Sequence, residues 1–437
     1  MKKIMKNTFL VASAFIFLLT SCVKDLNTLP LNETDATSET AYAEPASYLN
    51  GLSYLYGYWA LVSQNDMGSP DIAVADAGQS ELTRMYMVLN ELSTDSFKII
   101  WGDNYIVPIQ YHRWTSADNE AIIAVYTRCM KGITLVNEYL IQTSDEKLND
   151  RGHSGEIATV HQYRAEARFN RALYYYLLLD LFGNPPFALE ENIGGELPKQ
   201  IGREALYSWI EGELLDLANS EDMPAKGEVP YPRASKGSVW AVLARMYLNA
   251  EVYTGTPQWQ KAKDAAANVI GMGYQLHPNY QELFMQDNTT NGATEEFIVG
   301  VVYDKDNTQS WGGTTHLVSA TLSADANTAI AQNLGLSGML NPETWNGYHV
   351  ADDFVQRFEL SGVQWGATSG FGYDKENSDK RAFFYNIGST KEFDNTTTDT
   401  GWRCWKFTGL YSDGHTVSDA EPNYLFSSID FPVFRLA

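Results

Sequence analysis

Cysteine is scarce: three residues in 437. Cys22 closes an N-terminal leader, which leaves Cys129 and Cys404. Two thiols do not make a disulfide framework. Basic residues are few as well, 31 Lys and Arg against 54 Asp and Glu. Without the three lysines of the leader the balance is 28 to 54. Such a surface repels nucleic acid and anionic headgroups, so no nucleic-acid partner is expected. Long apolar runs are missing too. Phe9 to Leu19 gives eleven residues, short of the ~20 that span a bilayer.

The chain also lacks the compact signatures of catalysis. There is no His-Glu-x-x-His, no Cys-x-x-Cys, no Gly-x-Ser-x-Gly, no Walker loop and no dinucleotide fingerprint. Gly152-His-Ser-Gly155 and Gly335-Leu-Ser-Gly338 lack the elbow spacing. The seven His are scattered without metal-ligand spacing. Asp304-Lys-Asp306-Asn307 offers oxygen ligands but lacks the Gly and closing Glu of a calcium loop. It reads as a solvated turn. No cofactor or metal is expected. Carboxylates are too numerous for counting to exclude a glycosidase pair, yet nothing singles out two of them.

Lys2, Lys3 and Lys6 before the run Phe9–Leu19 make a secretion signal. It ends Leu19-Thr20-Ser21-Cys22, which resembles a bacterial lipobox. On that reading residues 1–21 are a lipoprotein signal and Cys22 is lipidated. Ordinary signal cleavage beside a bystander Cys is the alternative. A multiply acylated Cys holds a soluble body at a membrane, since each buried methylene contributes ~0.8 kcal/mol. Lys24-Asp25 is a weak export cue. Residues 22–44 are rich in Asn, Thr, Glu and Ser and read as a tether.

Helical order follows. Leu49, Leu52, Tyr56 and Trp59 recur at 3,4,3 within 45–63, and residues 64–80 read as a long loop. Residues 81–115 look irregular and aromatic. From Ser116-Ala-Asp118 a long helix carries Ile122, Tyr126, Cys129, Ile133, Val136 and Leu140 on one face. Cys129 on that seam reads as a buried, inert thiol. Residues 156–186 form the organising stretch. Ala165, Phe169, Ala172, Tyr176 and Leu179 share a face, with Ala admitting a close neighbour. Gly183 and Pro185-Pro186 stop the helix. Arg164, Arg168 and Arg171 make a second stripe, expected to pair with acids of neighbouring helices. Segments 203–219, 235–254 and 257–272 repeat the helical pattern.

The run Arg164-Ala-Glu-Ala-Arg-Phe-Asn-Arg-Ala-Leu-Tyr-Tyr-Tyr, with Asp180-Leu-Phe-Gly-Asn-Pro-Pro after it, resembles the signature helix of the SusD/RagB family. The pair 235–254 and 257–272 resembles a tetratricopeptide unit, although the 34-residue period of that repeat is not clean here. The fold class expected is therefore mainly α: tetratricopeptide-like helix hairpins in a solenoid-like core over 45–272, then a loop-rich region with small β elements over 273–437. Phe297–Tyr303 reads as a strand there, Trp402, Trp405 and Phe407 as another, and 350–360 as a short helical piece. The resemblance implies further helices beyond Ile429–Ala437, so this sequence is expected to be truncated.

The resemblance also implies a role. Members of the family are outer-membrane lipoproteins that capture nutrients for a SusC-like TonB-dependent transporter. Implied here are an oligosaccharide ligand, attachment to the outer membrane through lipid on its exterior face, and no catalysis. Peptide uptake, a surface glycoside hydrolase and a helix-repeat scaffold are the alternatives. Sugars are held by aromatic rings on their C–H faces and by polar side chains on their hydroxyls. Trp59, Trp209 and Trp240 sit in helical patterns and read as core, whereas Trp101, Trp311, Trp345 and Trp365 sit in Gly- and Asn-rich loops. Trp101-Gly-Asp103-Asn104 resembles the family segment that lines the glycan site. The platform expected is Trp101, Asn104, Tyr303 and Trp311, with Arg84 and Tyr86 near its edge. The rival reading is that these rings plug the loops onto the helices.

Overall fold

The computed structural model describes residues 37–115, 119–192, 197–358, 369–371, 379–387 and 401–437. Cys22, Lys24-Asp25, Ser116-Ala-Asp118 and Trp365 lie outside them. The described residues fall into two compact units that divide between Tyr48 and Leu49. In the first, α1 (Ser38–Ala41) opens on a capping box from Thr37, and Tyr42 stacks on Tyr48. α2 (Ala46–Gly57) runs across the division.

The second unit holds α3 (Leu82–Leu92), β1 (Phe97–Ile99), α4 (Ile106–Gln110), α5 (Glu120–Gln142), α6 (Asp145–Asp150), α7 (Ile157–Phe182), α8 (Arg203–Asn219), α9 (Lys236–Leu248), α10 (Ala250–Thr254) and α11 (Trp259–Gly271). After these come β2 (Phe297–Val301), α12 (Gly313–Ser319), α13 (Ala324–Asn333), β3 (Tyr348–Val350), α14 (Asp352–Val355), β4 (Ser369–Phe371), β5 (Phe384–Ile387), β6 (Gly401–Cys404) and β7 (Phe431–Arg435). The core is a stack in which α5 packs on α7, α7 on α8, α8 on α9 and α9 on α11. This is the tetratricopeptide-like stack of helix hairpins that the resemblance of the pair 235–254 and 257–272 implied. β1, β3, β6, β5 and β4 form one antiparallel sheet in that order, and β2 pairs with β7 across a bulge.

α7 carries the stack. Ala165, Phe169, Ala172, Tyr176 and Leu179 are all buried. Gly183 ends the helix at φ 76°, where its amide donates to Leu178 and Leu179 carbonyls. The left-handed backbone there is what glycine permits and a β-carbon resists. Arg168 forks onto Glu213 at 2.9 Å and reaches Asp216 at 2.7 Å. Arg171 pairs with Glu190 at 2.7 Å. Arg164 departs from the expected pairing. It donates to the Leu140 carbonyl and to Thr143 Oγ1, neutralising the carbonyl end of α5. Cys129 is fully buried, and burial pushes its thiol far up.

α5 and α7 approach closely at Gly132. A β-carbon there would stand 2.5 Å from the Tyr174 ring. That ring cannot retreat, because Trp59 stacks on it at 4.5 Å. Ala normally gains about 1 kcal/mol over Gly in a helix. Overpacking a filled core costs about 1–3 kcal/mol. Gly132→Ala is therefore expected to lower stability in chemical denaturation, and a gain would contradict this packing.

Several expectations are corrected. The stretch 81–115 contains α3 and α4 and so is not irregular. Glu81 caps α3, and Leu82, Met85, Val88 and Leu92 form its buried stripe. The helix expected over 235–254 breaks at Asn249 into α9 and α10. The second half is more helical than its Gly and Thr content suggested, since α12 and α13 both lie there. α12 is enclosed on all sides, which lets packing override the weak helix preference of Gly-Thr-Thr. Trp405 lies just past β6 and is buried, as Trp402 is within it.

Candidate functional site

Rings from three distant segments meet beside α12. Trp101 follows β1, Trp311 precedes α12, and Trp345 precedes β3. Trp345 stands between the other two, with centroids 6.4 Å from Trp101 and 5.9 Å from Trp311. Phe426 extends the row, 4.8 Å from Trp311. All three indoles are half-buried. The two rings singled out from sequence are thus joined through a third.

Hydrogen bonds fix the row. Trp101 Nε1 donates to the Trp345 carbonyl at 3.1 Å, and Trp345 Nε1 donates to Glu343 Oε2 at 2.7 Å. Gly347 leaves room for the Trp101 ring, which a β-carbon would meet at 2.4 Å. His316 of α12 lies behind, 5.8 Å from Trp101 and 6.0 Å from Trp345. Burial, then the Arg84 charge, holds its pKa well below the ordinary value, so the imidazole is neutral.

Trp311 is tied to the first half of the chain. Arg84 Nη1 donates to its carbonyl at 3.1 Å and pairs with Asp76 Oδ2 at 2.8 Å. The Asp76 side chain is 46% exposed, leaving it open to a ligand hydroxyl. Beneath, Glu81 Oε2 accepts from the amides of Gly313 and Arg84, each at 2.7 Å. Glu81 Oε1 accepts from the Tyr303 hydroxyl at 2.6 Å. Burial lifts the Glu81 carboxyl above the usual range, against the pull of these donors. Asp430 receives the Tyr303 amide at 3.1 Å, and burial lifts its carboxyl to about 6.

The geometry redraws the expected platform. Trp101 and Trp311 are brought together. Asn104 is exposed in the turn between Trp101 and α4. Tyr303 is not on the surface. It is 3% exposed and spends its hydroxyl on Glu81 and Thr83. It supports the Trp311 turn from inside, because the strand it follows is drawn into the core. Arg84 is buried and acts as a tie between segments. Tyr86 faces elsewhere. Residues two apart on a helix point to opposite sides, and Tyr86 packs on the helical core near Asp180 and Arg245. Trp345 and Asp76 were missing from the expected platform. Trp345 carried a signal, being a Trp in a Gly- and Asn-rich loop. Asp76 carried none among so many acids.

Among the described residues no group of His, Cys, Asp or Glu could hold a metal ion. Asp304 Oδ1 accepts from the amides of Asp306 and Asn307, which makes the expected turn. No helix among the described residues is long and apolar enough to cross a membrane.

Residues 71–248 match a SusD-like family described as starch-binding and associating with outer membrane. The starch-binding protein SusD of Bacteroides thetaiotaomicron is 34% identical over 342 residues, which are 78% of this chain and 57% of that relative. Over residues 71–248 this chain is SusD-like. The matched span of this SusD-like chain holds Asp76, Arg84, Trp101 and Asn104.

Solved structures share its fold. A SusD-like carbohydrate-binding protein from Bacteroides fragilis superposes with a TM-score of 0.63 at 19% identity, covering 91% of this chain and 73% of that one. Surface glycan-binding protein A of Bacteroides thetaiotaomicron, solved with laminarihexaose, gives 0.60 at 13% identity, covering 90% and 76%.

Proposed function

We propose that this SusD-like chain is a cell-surface glycan-binding lipoprotein. The cluster Trp101, Trp345 and Trp311 carries the reading: three half-buried indoles joined through Trp345, with Asp76 and Asn104 as exposed polar side chains on the adjoining segments. Indole faces stack on the C–H faces of successive sugar rings. Asp76 and Asn104 take hydroxyls. The excess of acids disfavours anionic polysaccharides, so the ligand class is a neutral oligosaccharide. The family description and the names of its relatives support this choice.

Around that site the proposal places a leader over 1–21, lipid on Cys22, a tether over 22–44 and the outer face of an outer membrane. The captured oligosaccharide passes to a SusC-like TonB-dependent transporter without being cleaved. Repeated weak contacts along a polymer supply retention through effective concentration.

Affinity electrophoresis against starch and laminarin tests the site. Truncating a central aromatic anchor costs about 2 kcal/mol or more, so Trp101→Ala with Trp311→Ala is expected to abolish retardation. Circular dichroism unchanged from the parent confirms the fold. Unchanged retardation in the folded double variant refutes the site.

A further inference from the structure

Glu91 and Lys406 line a pocket that Tyr348 also lines. The cavity is about 130 Å³. At about 10–15 Å³ for each water-sized position, it takes roughly ten non-hydrogen atoms. Met87, Phe97, Leu317, Tyr348 and Phe407 give it apolar walls. Glu91, one turn after Met87 on α3, and Lys406, just past β6, complete it.

Glu91 is half-buried, and neither its carboxylate nor the Lys406 ammonium has a hydrogen-bond or ion-pair partner among the described residues. The ammonium is held by rings instead, 4.1 Å from the centroid of Phe284 and 5.7 Å from that of Tyr280. Burial raises the Glu91 carboxyl, and the Lys406 charge opposes that rise across the pocket. The two charges therefore sense each other without meeting. Partly desolvated charges are costly to leave unpaired. A ligand carrying both complementary charges would satisfy the two at once.

We infer that this pocket is a second binding site, for a small zwitterion of the α-amino-acid class. Its ammonium sits on Glu91, its carboxylate on Lys406, and a short apolar side chain lies against Met87, Phe97 and Phe407. The indole cluster is not involved, so the inference stands apart from the glycan reading.

Calorimetric or saturation-transfer titration of the full chain with L-leucine tests it. Isocaproate lacks the ammonium of leucine, and isoamylamine lacks its carboxylate. Leucine is expected to bind in the millimolar range, with each analogue at least about tenfold weaker. Glu91→Gln is expected to weaken leucine to the level of isocaproate. Lys406→Met is expected to weaken it to the level of isoamylamine. Retardation on glycan gels stays at the parent level in both. Absence of leucine binding at millimolar concentration overturns the inference. So does leucine binding no tighter than the analogues on the unaltered protein, a comparison that needs no variant, or binding that both substitutions leave unchanged.

Discussion

Arg128→Met is expected to lower the unfolding free energy by about 3–5 kcal/mol. Arg128 is fully buried on α5. Its guanidinium organises the loop that follows α2. Nη1 donates to Asp71 Oδ1 at 2.6 Å and to the Val62 carbonyl at 3.1 Å. Nη2 donates to the Tyr58 carbonyl at 2.7 Å and to that of Leu61. The Tyr58 ring covers the cation at 3.8 Å. Methionine fills the volume but leaves three carbonyls without this donor and Asp71 with only Lys131. Breaking a buried pair from one side is costlier than lacking the pair altogether. Arg128→Lys is expected to fail nearly as badly, since one ammonium cannot reproduce a planar fork serving four acceptors. The loop leads on to Asp76 and Gly78, so glycan retention is expected to fall with stability. Denaturation midpoints measure the effect. A loss below about 0.5 kcal/mol, the scale of an ordinary surface substitution, would show that the loop has another anchor.

Glu81→Ala and Glu81→Gln are expected to diverge. Alanine strands the Gly313 and Arg84 amides and takes the Glu81 acceptor from Tyr303. At about 1–3 kcal/mol for each buried group left unmade, the loss is about 3–5 kcal/mol. Glutamine can keep the bonds to the two amides and to Tyr303. Its Oε1 takes the two amides, and its Nε2 donates to the Tyr303 oxygen. Tyr303 then turns its proton to Thr83 Oγ1, 3.0 Å away.

The sign with pH follows from the raised carboxyl. The folded state holds the Glu81 proton to higher pH than the unfolded state does. The parent is therefore favoured below the ordinary carboxyl value of 4.5 and loses stability as pH rises through the folded value. Glutamine does not titrate. The stability of Glu81→Gln relative to the parent is thus expected to be level in acid and to rise toward neutral pH. A relative stability that falls over that range would mean the ionised carboxylate is favoured in the fold.

The helical stack could be read from the residues because its cause is local. The 4,3 stripes of α5 and α7 and the stop at Gly183 follow from one-dimensional spacing, and the abundance of acids suggested partners for Arg168. The site was legible only in part because its cause is not local. Trp101 and Trp311 stood out as indoles among Gly and Asn, but only the fold reveals Trp345 as the ring that joins them. Tyr303 misled for the same reason: nothing in the neighbouring residues announces that Glu81, more than two hundred positions away, claims its hydroxyl. Arg84 and Tyr86 looked like neighbours because they are close in sequence, and the helix separates them. α12 was hidden by Gly, Thr and Ser, whose preference for turns is overridden by enclosure.

The most direct measurement is a crystal structure of the full chain soaked with a malto-oligosaccharide and, separately, with laminarihexaose. A capturing row of indoles requires a sugar ring stacked over Trp345, continuing onto Trp101 or Trp311, with a hydroxyl on Asp76 or Asn104. Clear sugar density elsewhere on the protein, or rings left bare at concentrations that saturate gel retention, would contradict it.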